Sequence, residues 1–184
     1  DLDFRIITKD GQVRWLSHAC QAVFGKNGEY LGRRGSNRDI TGRKTAENEL
    51  KASEARFRSY FELPLTGIAI TSLDKGWLEV NSTVCDMLGY SREELAHTTW
   101  DELTHPDDRE DDVSQFERIL AGEIDTYSME KRFIRKDGNV LWTNLSVGCV
   151  RKSDGSVDYT VAMLQNISLR KEAEKILQEN VRFF

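Results

Sequence analysis

Two stretches of this chain repeat one another 127 residues apart, and no other feature limits its fold so tightly. Residues 5–44 read RIITKDGQVRWLSHACQAVFGKNGEYLGRRGSNRDITGRK, and residues 132–171 read RFIRKDGNVLWTNLSVGCVRKSDGSVDYTVAMLQNISLRK. They align without a gap. Lys9, Asp10 and Gly11 fall on Lys136, Asp137 and Gly138; Trp15 falls on Trp142 and Gly28 on Gly155. The match continues through Ile40/Ile167, Arg43/Arg170, Lys44/Lys171, Ala46/Ala173, Glu47/Glu174 and Leu50/Leu177. An ungapped self-match of this length points to tandem units. The earlier stretch lacks the counterpart of what precedes the later one, so the sequence is expected to begin inside a module.

Each stretch sets an Asp-Gly turn between alternating runs, the signature of a hairpin. Along the longer strand of the later stretch, Leu141, Thr143, Leu145, Val147 and Cys149 share one face. Val140, Trp142, Asn144, Ser146 and Gly148 share the other. Trp142, like Trp15, therefore stands among small or polar neighbours, and something must cover it. The candidates are a packed helix, a partner subunit or a ligand. Leu50 and Phe57 on the helix that follows the first stretch are assigned to the same cap or dimer contact.

That helix, Ala46–Phe61, carries Ala46, Leu50, Phe57 and Phe61 as a narrow apolar stripe among charges, and Leu63-Pro64 should end it. A complete module follows. Residues 67–72 (GIAITS) and Trp77–Val80 form a second hairpin. Asn81 or Ser82 caps a short helix with Val84 and Leu88 at i,i+4, and Gly89 stands at its C-terminal cap. Residues 91–94 make a capping box, Thr99–Leu103 adds a turn, and Pro106 opens a longer helix whose buried stripe reads Val113, Phe116 and Leu120. Five antiparallel strands with helices on one face give an α+β fold. The expected division is residues 1–43 as the end of a preceding module, 44–62 as a linker or cap helix, 63–168 as the complete domain and 169–184 as an exit helix.

Composition narrows the function classes. Hydrophobic residues make up 39% and charged residues 31% of the chain, with two prolines, which describes a folded, charge-covered protein. A net charge of −5 argues against nucleic acid as a partner. No apolar run reaches the roughly 18–20 residues that span a bilayer, so no membrane contact is expected of this segment, while an anchor elsewhere in a longer protein stays open. Cys20, Cys85 and Cys149 are odd in number and lack a C-x-x-C pair, so no metal or redox motif is read; each is expected as a small core residue in a reducing cytoplasm. Asp107, Asp108, Asp111 and Asp112 lack the spacing of a calcium loop and read as a solvated helix start. No Walker loop, nucleophile elbow or H-E-x-x-H is present, so no catalytic residue is assigned.

The order of motifs resembles the PAS domain with its trailing PAC motif, found in bacterial sensor proteins. The residues that carry the resemblance are Phe57-Arg58, Gly67-Ile68, Asp74, Asn81, Leu88 to Ser91, Glu94-Leu95, His105 to Arg109, Arg135 to Gly138, Trp142 and Asn166 to Ser168. The resemblance implies a five-stranded sheet in the order 2-1-5-4-3, a cavity between sheet and helices, and a signal helix leaving from a D-I-T motif. The signal-relay residues are then Asp39, Ile40 and Thr41 in the first copy and Asn166, Ile167 and Ser168 in the second, where Asn166 removes the charge. The candidate pocket lining is Ile68, Ile70, Cys85, Leu88, Trp100, Phe116, Leu145 and Val147.

For the content of that pocket, an unknown small apolar or carboxylate ligand, or none, is expected ahead of a cofactor. Flavin and haem stay open. Trp77, Asn81, Trp100 and Phe116 are the residues for a flavin; His97 and His105 are the only haem candidates in the complete module, and His105 reads better as a helix start. A light-sensing flavin site with a reactive cysteine has no matching motif. The implied function is a sensory input module of a bacterial signalling protein. It would relay through linker helices to an effector in the same polypeptide, a histidine kinase or a diguanylate cyclase, and dimerise through those helices and the sheet face. The alternatives are a protein-interaction scaffold with a packed core, and a flavin or haem redox sensor.

Overall fold

The Asp-Gly and Asn-Gly turns bend with Gly11 at φ 83° and Gly28 at φ 80°, the left-handed conformation that glycine adopts without steric cost. They join β1 (Leu2–Ile7), β2 (Val13–Phe24) and β3 (Tyr30–Asp39) into a three-stranded antiparallel sheet in that order. The computed structural model describes residues 2–181. The chain divides into two compact units, Asp1–Ser59 and Tyr60–Phe184. The division falls inside helix α1 (Thr41–Phe61), within the expected linker.

The second unit holds β4 (Gly67–Thr71), β5 (Trp77–Val80), β6 (Thr126–Ile134), β7 (Val140–Arg151) and β8 (Val157–Asn166). All neighbours are antiparallel, and the sheet order is β5-β4-β8-β7-β6, which is the 2-1-5-4-3 order that the resemblance implies. Between β5 and β6 run α2 (Ser82–Leu88), α3 (Arg92–Leu95), α4 (Trp100–Leu103) and α5 (Pro106–Leu120); α6 (Ser168–Val181) leaves after β8. The last residues of the expected exit helix lie outside the described ones. Phe116, Phe133, Leu88, Leu95, Ile119 and Leu164 anchor the core between sheet and helices, each at most 1% exposed. Burying side chains of this size contributes about 1.5–3 kcal/mol apiece.

Asn81 fixes where this unit's first elements meet. It is fully buried. Its side-chain oxygen accepts the amides of Ile68 and Val84, at 3.0 and 3.1 Å, and its amide group donates to the carbonyls of Phe61 and Thr66. One side chain thus caps α2 and ties it to β4 and to the end of α1. With its oxygen and its amide both engaged in the fold, Asn81 is not available for the flavin role considered for it.

Four expectations are corrected by packing. Strand β4 turns Gly67, Ala69 and Thr71 inward, and Ile68 and Ile70 outward. A Cβ on Gly67 would lie 3.0 Å from Val84 Cγ2, so α2 sits too close for large side chains on that face. Ile68 and Ile70 are therefore not pocket residues. The buried stripe of α5 is Asp112, Phe116 and Ile119, while Leu120 is 40% exposed. Asp112 is consequently not part of a solvated helix start. Of the cysteines, Cys20 is exposed and Cys85 and Cys149 are half-buried, so none is a core residue proper.

Candidate functional site

A cavity of about 20 Å³ lies between the sheet and α4–α5, lined by Trp100, Phe116, Leu145 and Val147 together with Trp77, Tyr127 and Phe133. The void has room for little more than one water molecule, far below the roughly 300–1,000 Å³ of sites that take drug-sized ligands. A flavin or porphyrin therefore does not fit it with the walls as they stand. Of the expected lining, Leu88 is buried in the core and Cys85 packs at its margin, away from the void. Among the haem candidates, His97 is exposed. His105 caps α5, its Nδ1 accepting the Asp107 amide at 3.3 Å.

The chemistry of the cavity comes from residues that apolarity did not select. Lys131 enters from β6 with its side chain 1% exposed and pairs with Asp112 of α5, equally buried. The ammonium also donates to Thr104 Oγ1 at 2.9 Å and lies 4.0 Å from the Phe133 ring centroid and 5.1 Å from that of Trp100. Burial pulls the Lys131 ammonium below the ordinary lysine range, and Asp112 opposes that pull. Tyr127 donates its hydroxyl to Asp112 Oδ1 at 2.8 Å, and burial, with the Asp112 charge, pushes its phenol well above its usual value. Thr71 and Thr160 share a buried hydrogen bond of 2.6 Å. A signal for Lys131 existed in the sequence: Tyr127, Met129, Lys131 and Phe133 alternate along β6 and all turn inward.

Behind this cavity, Asp101 at α4 forms a second charged cluster. Burial would raise its carboxyl, but the Thr99 hydroxyl, Arg109 and Lys75 outweigh that and hold it at about 2.

The opposite face of the sheet carries the expected relay residues. Arg132, next to Lys131 on β6, pairs in register with Trp142 and sets its guanidinium 5.2 Å from the Trp142 ring centroid. Lys171, in the first turn of α6, places its ammonium 5.2 Å from that same centroid. The Trp142 carbonyl accepts the Ile167 amide at 2.9 Å, and the Trp142 amide donates to Ser168 Oγ at 3.2 Å. Asn166 Oδ1 accepts the Ser168 amide at 2.9 Å, which starts the helix. Glu130 binds Lys171 and Arg170, which hold its carboxyl below the usual range. Trp142 is thus covered by the start of the exit helix and by Arg132.

The first unit builds the same junction. Arg5 and Lys44 stand 5.5 and 5.3 Å from the Trp15 ring centroid. The Trp15 carbonyl accepts the Ile40 amide, its amide donates to Thr41 Oγ1, and Asp39 Oδ1 accepts the Thr41 amide, all at 2.9 Å. Asp3 stands where Glu130 stands and binds Lys44 at 3.0 Å. One contact differs. Arg14 bonds Asp39 at 2.9 Å, and the Thr41 hydroxyl, the Thr41 amide and Arg14 hold Asp39 at about 2. The equivalent residues of the second unit, Leu141 and Asn166, carry no charge.

Comparison with known proteins agrees with this architecture. Residues 78–164 match the family described as the PAS fold. Over 130 residues the chain is 39% identical to a probable diguanylate cyclase, DgcE, of Escherichia coli, covering 71% of this chain and 12% of that protein. It is 27% identical over 130 residues to the sensor histidine kinase TmoS of Ectopseudomonas mendocina, covering 71% of this chain and 13% of that protein. The chain therefore spans about an eighth of the length of either relative. Among solved structures, the PAS domain of an HTR-like protein from Haloarcula marismortui superposes with a TM-score of 0.57 at 23% identity, covering 67% of this chain and 99% of that one. A domain of a sensory box sensor histidine kinase/response regulator from Geobacter sulfurreducens does so with a TM-score of 0.53 at 23% identity, covering 63% and 96%.

Proposed function

The second unit is a PAS domain, and from that premise we propose that it is the input module of a signalling protein, converting occupancy of the cavity into a change at α6. One observation carries the reading. Lys131 and Arg132 are consecutive on β6, one in the cavity and the other on Trp142, which also holds Lys171 of the exit helix. A rearrangement around Lys131 reaches α6 across the thickness of a single strand. A ligand shifts α6 only by the difference in its affinity for two arrangements of this junction.

The rest of the assembly follows as proposal. The first unit is the C-terminal half of a second PAS copy, a reading supported by the contacts of its junction, which recur 127 residues on except for Arg14–Asp39. The effector lies in the same polypeptide and is of the diguanylate cyclase or histidine kinase type named for the relatives; this chain itself supplies no catalysis. The module works in the cytoplasm; no described helix is long and apolar enough to cross a membrane. A homodimer forms through the helices, a reading supported by Leu50 at 61%, Phe57 at 54%, Ile176 at 53% and Leu177 at 65% exposure. Sedimentation at rising concentration tests it, and a monomer throughout would remove the dimer from the proposal.

A second reading, a protein-interaction scaffold with a packed core, is favoured by the small size of the void. Hydrogen exchange separates the two. Ala162→Val narrows the cavity from β8. The relay predicts altered exchange at the Lys171 amide, which bonds the Ile167 carbonyl, with the α3 amides unchanged. Exchange that changes equally in α3 and α6, or in neither, favours the scaffold.

A further inference from the structure

The walls of the cavity hold hydrogen-bonding groups of both kinds. Trp77 on β5 is 6% exposed and lines the void, and its indole nitrogen, which can only donate, has no partner among the described residues. Thr71 pairs in register with Trp77 on one side and with Thr160 on the other, so the three form one row across the inner face of the sheet. The two threonine hydroxyls share a hydrogen bond of 2.6 Å, in which one donates and the other accepts. The accepting hydroxyl keeps a proton of its own. From α5 and β6 come oxygens with lone pairs to spare. Asp112 Oδ1 takes the Tyr127 hydroxyl and Oδ2 takes Lys131, one bond each, and the Tyr127 oxygen donates without accepting. All five side chains, Trp77, Thr71, Thr160, Asp112 and Tyr127, line the same void.

This mixture selects the occupant. A molecule that only accepts would satisfy Trp77 and leave the Asp112 and Tyr127 oxygens as they are; one that only donates would do the reverse and strand the indole. Water accepts twice and donates twice from a single heavy atom. Size agrees with chemistry. The void of about 20 Å³ exceeds the roughly 10–15 Å³ that one water needs, and buried waters typically make about three hydrogen bonds to groups otherwise left unpaired.

We infer that the cavity is the site of one structural water, which accepts the Trp77 indole N–H and donates to Asp112, with the threonine pair and the Tyr127 oxygen as its remaining partners. The water joins β5, at one edge of the sheet, to the Lys131–Asp112 pair that reaches β6 at the other edge. Trp77, Thr71 and Thr160 are then positioning residues for it, which accounts for a polar row on an inner face that is otherwise apolar. The inference goes beyond the sensor reading and does not depend on it. A held water suits the scaffold reading equally, and the relay has its own test at the Lys171 amide.

Two measurements on the whole chain test it. In a crystal structure at a resolution that orders solvent, a single solvent peak should lie about 2.7–3.2 Å from both Trp77 Nε1 and an Asp112 oxygen. An empty void, density for a molecule of several heavy atoms, or an indole nitrogen bonded elsewhere overturns the inference. The second measurement is a double-mutant cycle in urea. Ala162→Val fills the void from β8 and expels the water, which strands the indole donor, and Trp77→Phe removes that donor. Ala162→Val should therefore raise the unfolded-to-folded ratio at least about fivefold more in the wild-type background than in Trp77→Phe, where no buried donor is left to strand. Overpacking by the added methyl groups is common to both backgrounds and cancels. Equal effects in the two backgrounds would mean a dry void and overturn the inference. Should Trp77→Phe fail to fold, the solvent peak decides alone.

Discussion

Lys131 and Asp112 face each other in the core of the second unit, each side chain 1% exposed, from a strand and a helix that are 19 residues apart in sequence. The pair ties β6 to α5 inside the core, and Arg132 with Asp108 ties the same two elements beside it. Removing one partner leaves a buried charge alone, so Asp112→Ala should destabilise the domain by about 3–5 kcal/mol. Lys131→Met combined with Asp112→Leu should recover most of that loss, because an apolar pair of similar volume removes both desolvation costs. Urea unfolding of the single and double variants measures it. A double variant as unstable as Asp112→Ala would mean that the pair is needed for packing geometry rather than for charge.

Asn81 predicts an equally sharp loss by a different route. Asn81→Ala strips partners from the Ile68 and Val84 amides and from the Phe61 and Thr66 carbonyls together. A cost of about 3 kcal/mol or more is expected, since buried polar groups left unpaired carry their full desolvation penalty. Asn81→Asp keeps both accepted bonds but turns a carboxylate oxygen toward the Phe61 and Thr66 carbonyls in a fully buried place, so it should be no more stable than alanine. The denaturation midpoints give the order.

Much of this was legible from the residues. The strands of both hairpins, the caps at Asn81 and Ser91, and the sheet order follow from alternation, turn chemistry and the resemblance. Trp100, Phe116, Leu145 and Val147 were read as lining because large apolar side chains fell on faces already turned inward. The misses share one cause: hydrophobicity was taken as the marker of the inner face. On β4, the inner positions are Gly67, Ala69 and Thr71, because α2 presses against them, and the two isoleucines turn out. On α5, the inner stripe begins with an aspartate, and on β6 it includes a lysine. Each of those charges is tolerable in the core only because the other is there, a relation between distant residues that no local pattern carries.

The two junctions should part company in acid. Asp39 is held at about 2, below its ordinary value, first by the Thr41 hydroxyl, then by the Thr41 amide and Arg14. A carboxylate with a depressed folded pKa stabilises fully above its unfolded value of about 3.9 and loses that contribution as pH falls through its folded value. Asn166 has no such titration. Between about pH 3 and pH 1 the Thr41 amide resonance should therefore shift with a midpoint near 2. The Ser168 amide should respond only to Glu130, whose carboxyl is lowered chiefly by Lys171. An NMR titration reads both amides in one experiment, and a Ser168 profile that tracks Thr41 would contradict it.

Asn166→Asp should restore a charged cap to the second junction without a partner like Arg14, because Leu141 occupies the equivalent place. A negative charge at a helix start is worth about 0.3–1 kcal/mol. The melting temperature should hence change by a few degrees at most, while exchange at the Lys171 amide slows. A large drop in melting temperature would show that the position governs folding rather than the attachment of α6.

Trp142→Ala should loosen that attachment selectively. It removes the ring against which Arg132 and Lys171 pack, contacts worth about 0.5–1 kcal/mol each at partly exposed sites. Exchange should quicken in the first turn of α6 and hold in β4 and α2. Trp142→Phe, which keeps an aromatic face, should sit between.

The grip on Trp142 works like a key in a slot. Ser168 takes the Trp142 backbone amide while Lys171 lies over its indole, both at once only because they are three residues apart on one helix face, and Thr41 and Lys44 repeat that spacing at Trp15. Adding one residue between them would swing the lysine by about 100° around the helix axis and unseat it. Each helix therefore leaves its own sheet at a set angle of rotation about its axis. What such an attachment passes on most readily is a turn of the shaft, because sliding along the axis would break the grip before it moved anything beyond.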